Sequence, residues 1–170
     1  IYVPGSPVLT AEGPLGECLL LETLALSVLN HDTAVASAAT RMVSAAGGRP
    51  IIEMGSRRTH EQAAIAATRA AYLAGFASTS NLAGGHIYGI PTVGTVAHAF
   101  ILALASVRAA FASQVEALGV DTTLLVDTYD IEQGIRTAVD VAGPQLCAIR
   151  IDSGDLEGES RRERTLLDHL

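Results

Sequence analysis

The chain has 170 residues, 49% of them hydrophobic and only 17% charged, and its 11 basic residues (all arginine) against 18 acidic ones leave a formal charge of −7. So apolar a composition excludes a disordered chain, and acidity without any basic block excludes the electrostatic footprint of a nucleic-acid or anionic-membrane binder. No apolar run reaches the roughly 18 residues of a membrane span, because the densest, Leu15 to Leu29, is interrupted by Glu17, Glu22 and Ser27.

Residues 1–49 read as a helical segment. Pro14 stands at a first helical position, and Leu15, Leu19, Leu20, Leu24, Val28 and Leu29 follow at helical spacing. Asp32 is placed to cap a second, Ala-rich helix that stops at Gly47-Gly48. The segment is apolar nearly all round, which predicts burial. After Pro50, short β-branched runs alternate with longer helical ones. Strands are predicted at Pro50–Met54, Phe76–Thr79, Thr92–Thr95, Thr122–Val126 and Leu146–Ile151. Between them, Thr59 with Gln62 forms a capping box for a helix to Ala74, and a Gly-rich turn precedes one short helical piece. One long helix runs from Ala97 to Leu118, Asp130 with Gln133 caps another to Ala142, and Ser160 with Glu163 caps the last.

Strands alternating with helices imply parallel β/α units with right-handed crossovers. An open doubly wound sheet or part of a β/α barrel both satisfy that pattern, and the G-x-G-x-x-G fingerprint of the first is missing. The start, Ile1-Tyr2-Val3-Pro4-Gly5, has no basic n-region of a signal peptide. Two cysteines, Cys18 and Cys147, cannot build a disulfide framework; they read as small buried apolar residues in a reducing cytoplasm. A chain that begins without Met and ends inside a predicted helix reads as a piece of something longer.

In parallel β/α folds the working residues lie just beyond the C-terminal ends of the strands. Those positions hold Gly55-Ser56-Arg57-Arg58, Thr79-Ser80-Asn81, Gly94-Thr95-Val96-Ala97-His98, Asp127-Thr128-Tyr129-Asp130 and Arg150-Ile151-Asp152-Ser153-Gly154-Asp155. Arginines, small hydroxyls, one histidine and carboxylates suit a phosphorylated substrate. Arg pairs bidentately with phosphate, Gly and Ser/Thr turns bring N–H groups to anionic oxygens, and carboxylates hold Mg²⁺. Each feature also has a plainer reading: Arg57-Arg58 as solvated charge, His98 as a hydrogen-bonded structural residue, Asp127 and Asp130 as turn and N-cap residues, Asp152 to Asp155 as a turn. No Cys or His cluster has zinc spacing.

Six segments carry a family resemblance. Glu53-Met54-Gly55-Ser56-Arg57-Arg58, Ala71-Tyr72-Leu73-Ala74-Gly75-Phe76 with Thr79-Ser80-Asn81, Tyr88-Gly89-Ile90-Pro91, Gly94-Thr95-Val96-Ala97-His98, Leu125-Val126-Asp127-Thr128-Tyr129-Asp130 and Arg150-Ile151-Asp152-Ser153-Gly154-Asp155-Leu156 occur in order, and together they resemble nicotinate phosphoribosyltransferase. The resemblance implies an α/β fold: a partial, irregular parallel β/α barrel of the type II phosphoribosyltransferase kind over 50–170, incomplete and preceded by the helical segment 1–49. It implies an ATP-dependent, cytoplasmic enzyme of NAD salvage that joins nicotinate to phosphoribosyl pyrophosphate, with Mg²⁺ and ATP as cofactor and co-substrate, and a homodimer. Carried over by motif, His98 is the phosphohistidine and Asp127 the carboxylate that hydrogen-bonds it. Thr95 and Arg150 contact nicotinate, Arg57 lies at the phosphate or substrate end, and Asp152 serves the ribose or phosphate site. Related nicotinamide transferases place an Asp near Ser80, so a neutral Ser80 implies preference for the nicotinate carboxylate. Ser56, His60, Val96 and Ala99 depart from the residues more frequent in the family. Family members are more than twice this long. A nicotinamide-using enzyme and a non-catalytic shortened chain are the competing readings.

Overall fold

Short β-branched runs become strands only where a parallel neighbour pairs with them, and here that trims four of the predicted strands to two or three residues and the other to a single bridge. The computed structural model describes residues 3–170, which divide into two compact units, one ending at Gly94 and one spanning Thr95–Leu170.

In the first unit, α1 (Leu15–Ala46) is one uninterrupted helix, with Pro14 as N-cap and Gly47 closing it in the left-handed conformation at φ 58°. Asp32 does not start a new helix. No Pro or Gly interrupts residues 17–46, and its carboxylate is satisfied by Arg69 of the next helix rather than by a backbone N–H. The expected burial of the Leu15–Leu29 face does not occur either: Leu20 is 84% exposed and Leu15 75%. Only the C-terminal half of α1 packs, where Ala39 and Val43 meet Ala71, Phe76 and Ile51. β1 (Ile52–Glu53) pairs in parallel with β2 (Ser78–Thr79), Glu53 opposite Thr79. Between them a 3₁₀ turn, Gly55–Arg57, leads to α2 (Glu61–Leu73). The N-cap of α2 is His60, whose Nδ1 accepts from the Gln62 N–H at 3.4 Å; the Thr59 capping box is therefore corrected by one position. Asn81 caps α3 (Leu82–Tyr88), its Oδ1 accepting from Gly84 N–H at 2.8 Å. A Cβ at Gly84 would stand 2.9 Å from the Thr68 methyl, so the close approach of α3 to α2 requires glycine there. The strand expected at Thr92–Thr95 shrinks to a single parallel bridge, Thr92 to Thr79, because β2 ends at Thr79 and offers nothing further to pair with.

In the second unit the long helix expected over Ala97–Leu118 is two, α4 (His98–Ala103) and α5 (Val107–Leu118). The Ser106 hydroxyl accepts from Ala109 N–H at 3.1 Å, and Leu104 and Ser106 are extended, so a local side-chain bond displaces the helical one. β3 (Thr123–Leu125) pairs in parallel with β4 (Ala148–Arg150), and α6 (Ile131–Ala142) crosses between them with Asp130 as its cap, bonded to Gln133 N–H at 2.8 Å. α7 (Leu156–Leu167) starts earlier than expected, capped by Asp155 rather than Ser160, whose hydroxyl instead donates back to the Leu156 carbonyl. Ile101, Ala110, Phe111, Leu124, Val126, Ile135 and Ala138 form the core. The cysteines are not buried as expected: Cys147 is exposed, lining a cavity of about 730 Å³ with Leu146 and Leu167, and Cys18 is half-buried beside exposed leucines of α1. Among the described residues no helix is long and apolar enough to cross a membrane.

Candidate active site

In the second unit the ends of β3 and β4 and the start of α4 bring five of the expected residues into one cluster. Asp127 follows β3 by two residues. Its side chain is only 1% exposed, and its Oδ2 accepts from the Asp152 N–H at 2.8 Å and the Ser153 hydroxyl at 2.7 Å. Burial works against its charge, but the Ser153 and Asp152 hydrogen bonds and the nearby His98 outweigh burial and hold the carboxyl below its ordinary range. Its other oxygen, Oδ1, is buried without a hydrogen-bond partner among the described residues and lies 3.9 Å from His98 Nε2.

His98 is the first residue of α4 and half-buried. Its Nδ1 meets the Thr128 hydroxyl at 3.1 Å, while Nε2 faces two carboxylates, Asp152 Oδ2 at 3.6 Å and Asp127 Oδ1 at 3.9 Å. The expected hydrogen bond between the imidazole and Asp127 is thus not made, since 3.9 Å exceeds hydrogen-bond range. The hydrogen bond belongs to Thr128, which sequence reasoning passed over although it stands in the same motif. Arg150, the last residue of β4, donates from Nη1 to Thr95 Oγ1 and from Nη2 to Asp152 Oδ1, both at 2.6 Å. Asp152 therefore spends one oxygen on Arg150 and turns the other toward His98.

The remaining two expected residues belong to the first unit. Arg57 ends the 3₁₀ turn after β1, exposed and without an ionic partner among the described residues. Ser80 follows β2, its N–H donating to the Glu53 carbonyl at 2.8 Å. Beneath these turns lies a group outside the expected site residues: Glu53, 8% exposed, whose side-chain oxygens accept from Thr68 Oγ1 at 3.0 Å, Thr79 Oγ1 at 2.7 Å and the Gly55 N–H. The available signal was a lone carboxylate near the end of a predicted apolar strand; its hydroxyl partners, 15 and 26 residues on, gave none.

Residues 35–156 match the family of the quinolinate phosphoribosyl transferase C-terminal domain. The chain belongs to this family. Within the phosphoribosyltransferases it is 62% identical, over its whole length, to a nicotinate phosphoribosyltransferase of Mycobacterium tuberculosis and 39% identical, over 95% of its length, to one of Bacillus subtilis. It spans 40% and 34% of the length of those relatives. The crystal structure of human nicotinic acid phosphoribosyltransferase superposes on 99% of the chain with a TM-score of 0.80 at 26% identity, and the chain covers 45% of it. The α/β fold is accordingly that of the phosphoribosyltransferases.

Proposed function

We propose that this chain contributes the nicotinate-binding and phosphohistidine portion of an ATP-dependent, ligase-type nicotinate phosphoribosyltransferase of NAD salvage, cytoplasmic and dimeric. The observation that carries the reading is the environment of His98: a hydroxyl on one ring nitrogen, two carboxylates facing the other, and a braced arginine alongside. The carboxylates favour a proton on Nε2, which leaves the Nδ1 lone pair, facing Thr128, as the nucleophile. Nδ1 attacks the γ-phosphorus of ATP, the N–P bond forms as the bond to ADP oxygen breaks, and the imidazolium charge that develops is stabilised by Asp127 and Asp152. Thr128 donates to an oxygen of the incoming phosphoryl group.

For the glycosyl step, the pyridine nitrogen of nicotinate forms a bond to C1 of the ribose as the bond to pyrophosphate breaks. Arg150, held flat by Thr95 and Asp152, presents a planar cation to the nicotinate ring and carboxylate. Arg57 supplies positive charge at the phosphate end. No group of three or more His, Cys, Asp or Glu side chains among the described residues could hold a metal ion, so Mg²⁺ would take its ligands chiefly from phosphate and water. When bound, the metal neutralises charge on the phosphate oxygens.

The test uses the full-length protein and its His98→Asn variant, assayed for nicotinate mononucleotide formation with and without ATP and for acid-labile phosphate labelling. The variant is expected to fold, to lose ATP stimulation and labelling, and to keep a slow ATP-independent transfer. Full ATP stimulation or wild-type labelling in the variant refutes the assignment.

A further inference from the structure

We infer that Glu53 is a positioning residue that locks the turn carrying Arg57 to the turn carrying Ser80, and so sets the affinity for the phosphate end of phosphoribosyl pyrophosphate. This rests on the role proposed above for Arg57.

A buried carboxylate is costly unless hydrogen bonds replace its water, and an apolar side chain in the same place serves packing at least as well. The Glu53 side chain accepts from three donors on three segments: the Gly55 N–H in the Arg57 turn, Thr68 of α2 and Thr79 at the end of β2. Both threonines are 1% exposed. Thr79 acts as a relay. It donates to Glu53 and accepts from the Asn81 N–H at 2.9 Å, so the carboxylate fixes the second turn as well as the first. Asn81 then closes the ring from the solvent side, donating from Nδ2 to Ser56 Oγ at 3.1 Å while its Oδ1 caps α3. Gly55 completes the design, since a Cβ there would stand 2.8 Å from the Glu53 carboxylate. Arg57 is two residues from Gly55 and one from Ser56, within a turn closed by Arg58 N–H to the Gly55 carbonyl at 2.8 Å. Its own guanidinium has no ionic partner among the described residues, so its placement depends on this backbone clamp.

The experiment measures phosphoribosyl pyrophosphate binding to the full-length protein by calorimetry, in Glu53→Gln, in Arg57→Ala and in the double variant. Gln places an NH₂ among groups that all donate to the carboxylate. The Kd is expected to rise on the order of tenfold in Glu53→Gln, and not to rise further when Glu53→Gln is added to Arg57→Ala. Thr79→Val should repeat the effect and Thr79→Ser, which keeps the hydroxyl, should restore wild-type affinity. That pair replaces Glu53→Gln if the latter fails to fold. An unchanged Kd with a lowered melting temperature makes Glu53 merely structural and overturns the inference. So does an equal rise in both backgrounds, which detaches Glu53 from Arg57. If Arg57→Ala alone binds like wild type, the role of Arg57 itself is refuted and the inference falls with it.

Discussion

Asp127→Asn is the most informative substitution at the histidine, because the side chain keeps its size and loses only its charge. Asn can present its oxygen to the Asp152 N–H and Ser153 hydroxyl, which preserves the two bonds now made by Oδ2. Its NH₂ then occupies the place of Oδ1 and faces the proton on His98 Nε2, donor against donor. A full charge pair at the observed 3.9 Å is worth about 4 kcal/mol at an effective dielectric of 20. Solvent screening of the half-exposed imidazole reduces that to about 2 kcal/mol. The proposed phosphoryl transfer to His98, which would create an imidazolium, should therefore slow by about 30-fold. The assay is the rate of phosphohistidine formation with labelled ATP in a single turnover of the full-length variant, together with its thermal melt. ATP-stimulated turnover should fall in parallel while the ATP-independent rate stays within a few-fold. A phosphorylation rate within twofold of wild type would show that Asp127 does not bear on the imidazolium, and that its burial serves only the turn at Asp152 and Ser153.

Nicotinate should be turned over in preference to nicotinamide by the full-length protein, and Ser80→Asp should weaken nicotinate by at least tenfold through like-charge repulsion; equal use of both bases by the wild type defeats this. Burial raises the Asp32 carboxyl, but hydrogen bonds from His31 and Arg69 more than offset it, so the folded value lies below the unfolded one. Its stabilisation is then complete above the ordinary carboxylate pKa of about 3.9 and is lost as pH falls through the depressed value. Urea titrations should accordingly show Asp32→Asn losing about 1 kcal/mol at pH 7, with the difference from wild type shrinking as the pH is lowered below the ordinary carboxylate range. Ser106→Ala removes the cap of α5 and should cost about 1 kcal/mol, with Ser106→Asp recovering most of it in the same unfolding measurement.

Local hydrogen bonds decided which parts of this structure were legible in advance. Asp130 with Gln133, and the glycine stop at Gly47, were readable because cap and helix are neighbours in sequence. The unbroken α1 was not, because the partner of Asp32 is Arg69, 37 residues away. The break before α5 turned on Ser106, a residue type that serves helix interiors and caps alike until its backbone is seen. His60 and Asp155 took the caps expected of Thr59 and Ser160 for the same reason: several polar residues stand near each helix start, and only geometry selects one. At the site, Asp127, Arg150 and Asp152 were visible as charges after apolar runs. Thr128 was not, since a threonine beside an aspartate carries no signal until the imidazole is found 3.1 Å away. Strand lengths were overestimated because β-branched composition reports a preference, whereas pairing requires a neighbour.

The contact between α2 and α3 ties two positions together in evolutionary drift. Any residue larger than glycine at position 84 collides with the Thr68 methyl, whose Cγ2 would lie 2.9 Å from the new Cβ. Thr68 in turn cannot simply shrink to Ala, because its hydroxyl is one of the donors to Glu53. Serine at 68 is the one replacement that removes the methyl and keeps the hydroxyl. Serine still leaves the Cβ and Oγ of residue 68 at 3.1 and 3.2 Å from the new Cβ, so alanine at 84 should cost less in company with serine at 68 than without it, and among diverging copies of this domain the two sites should change as a pair, serine first.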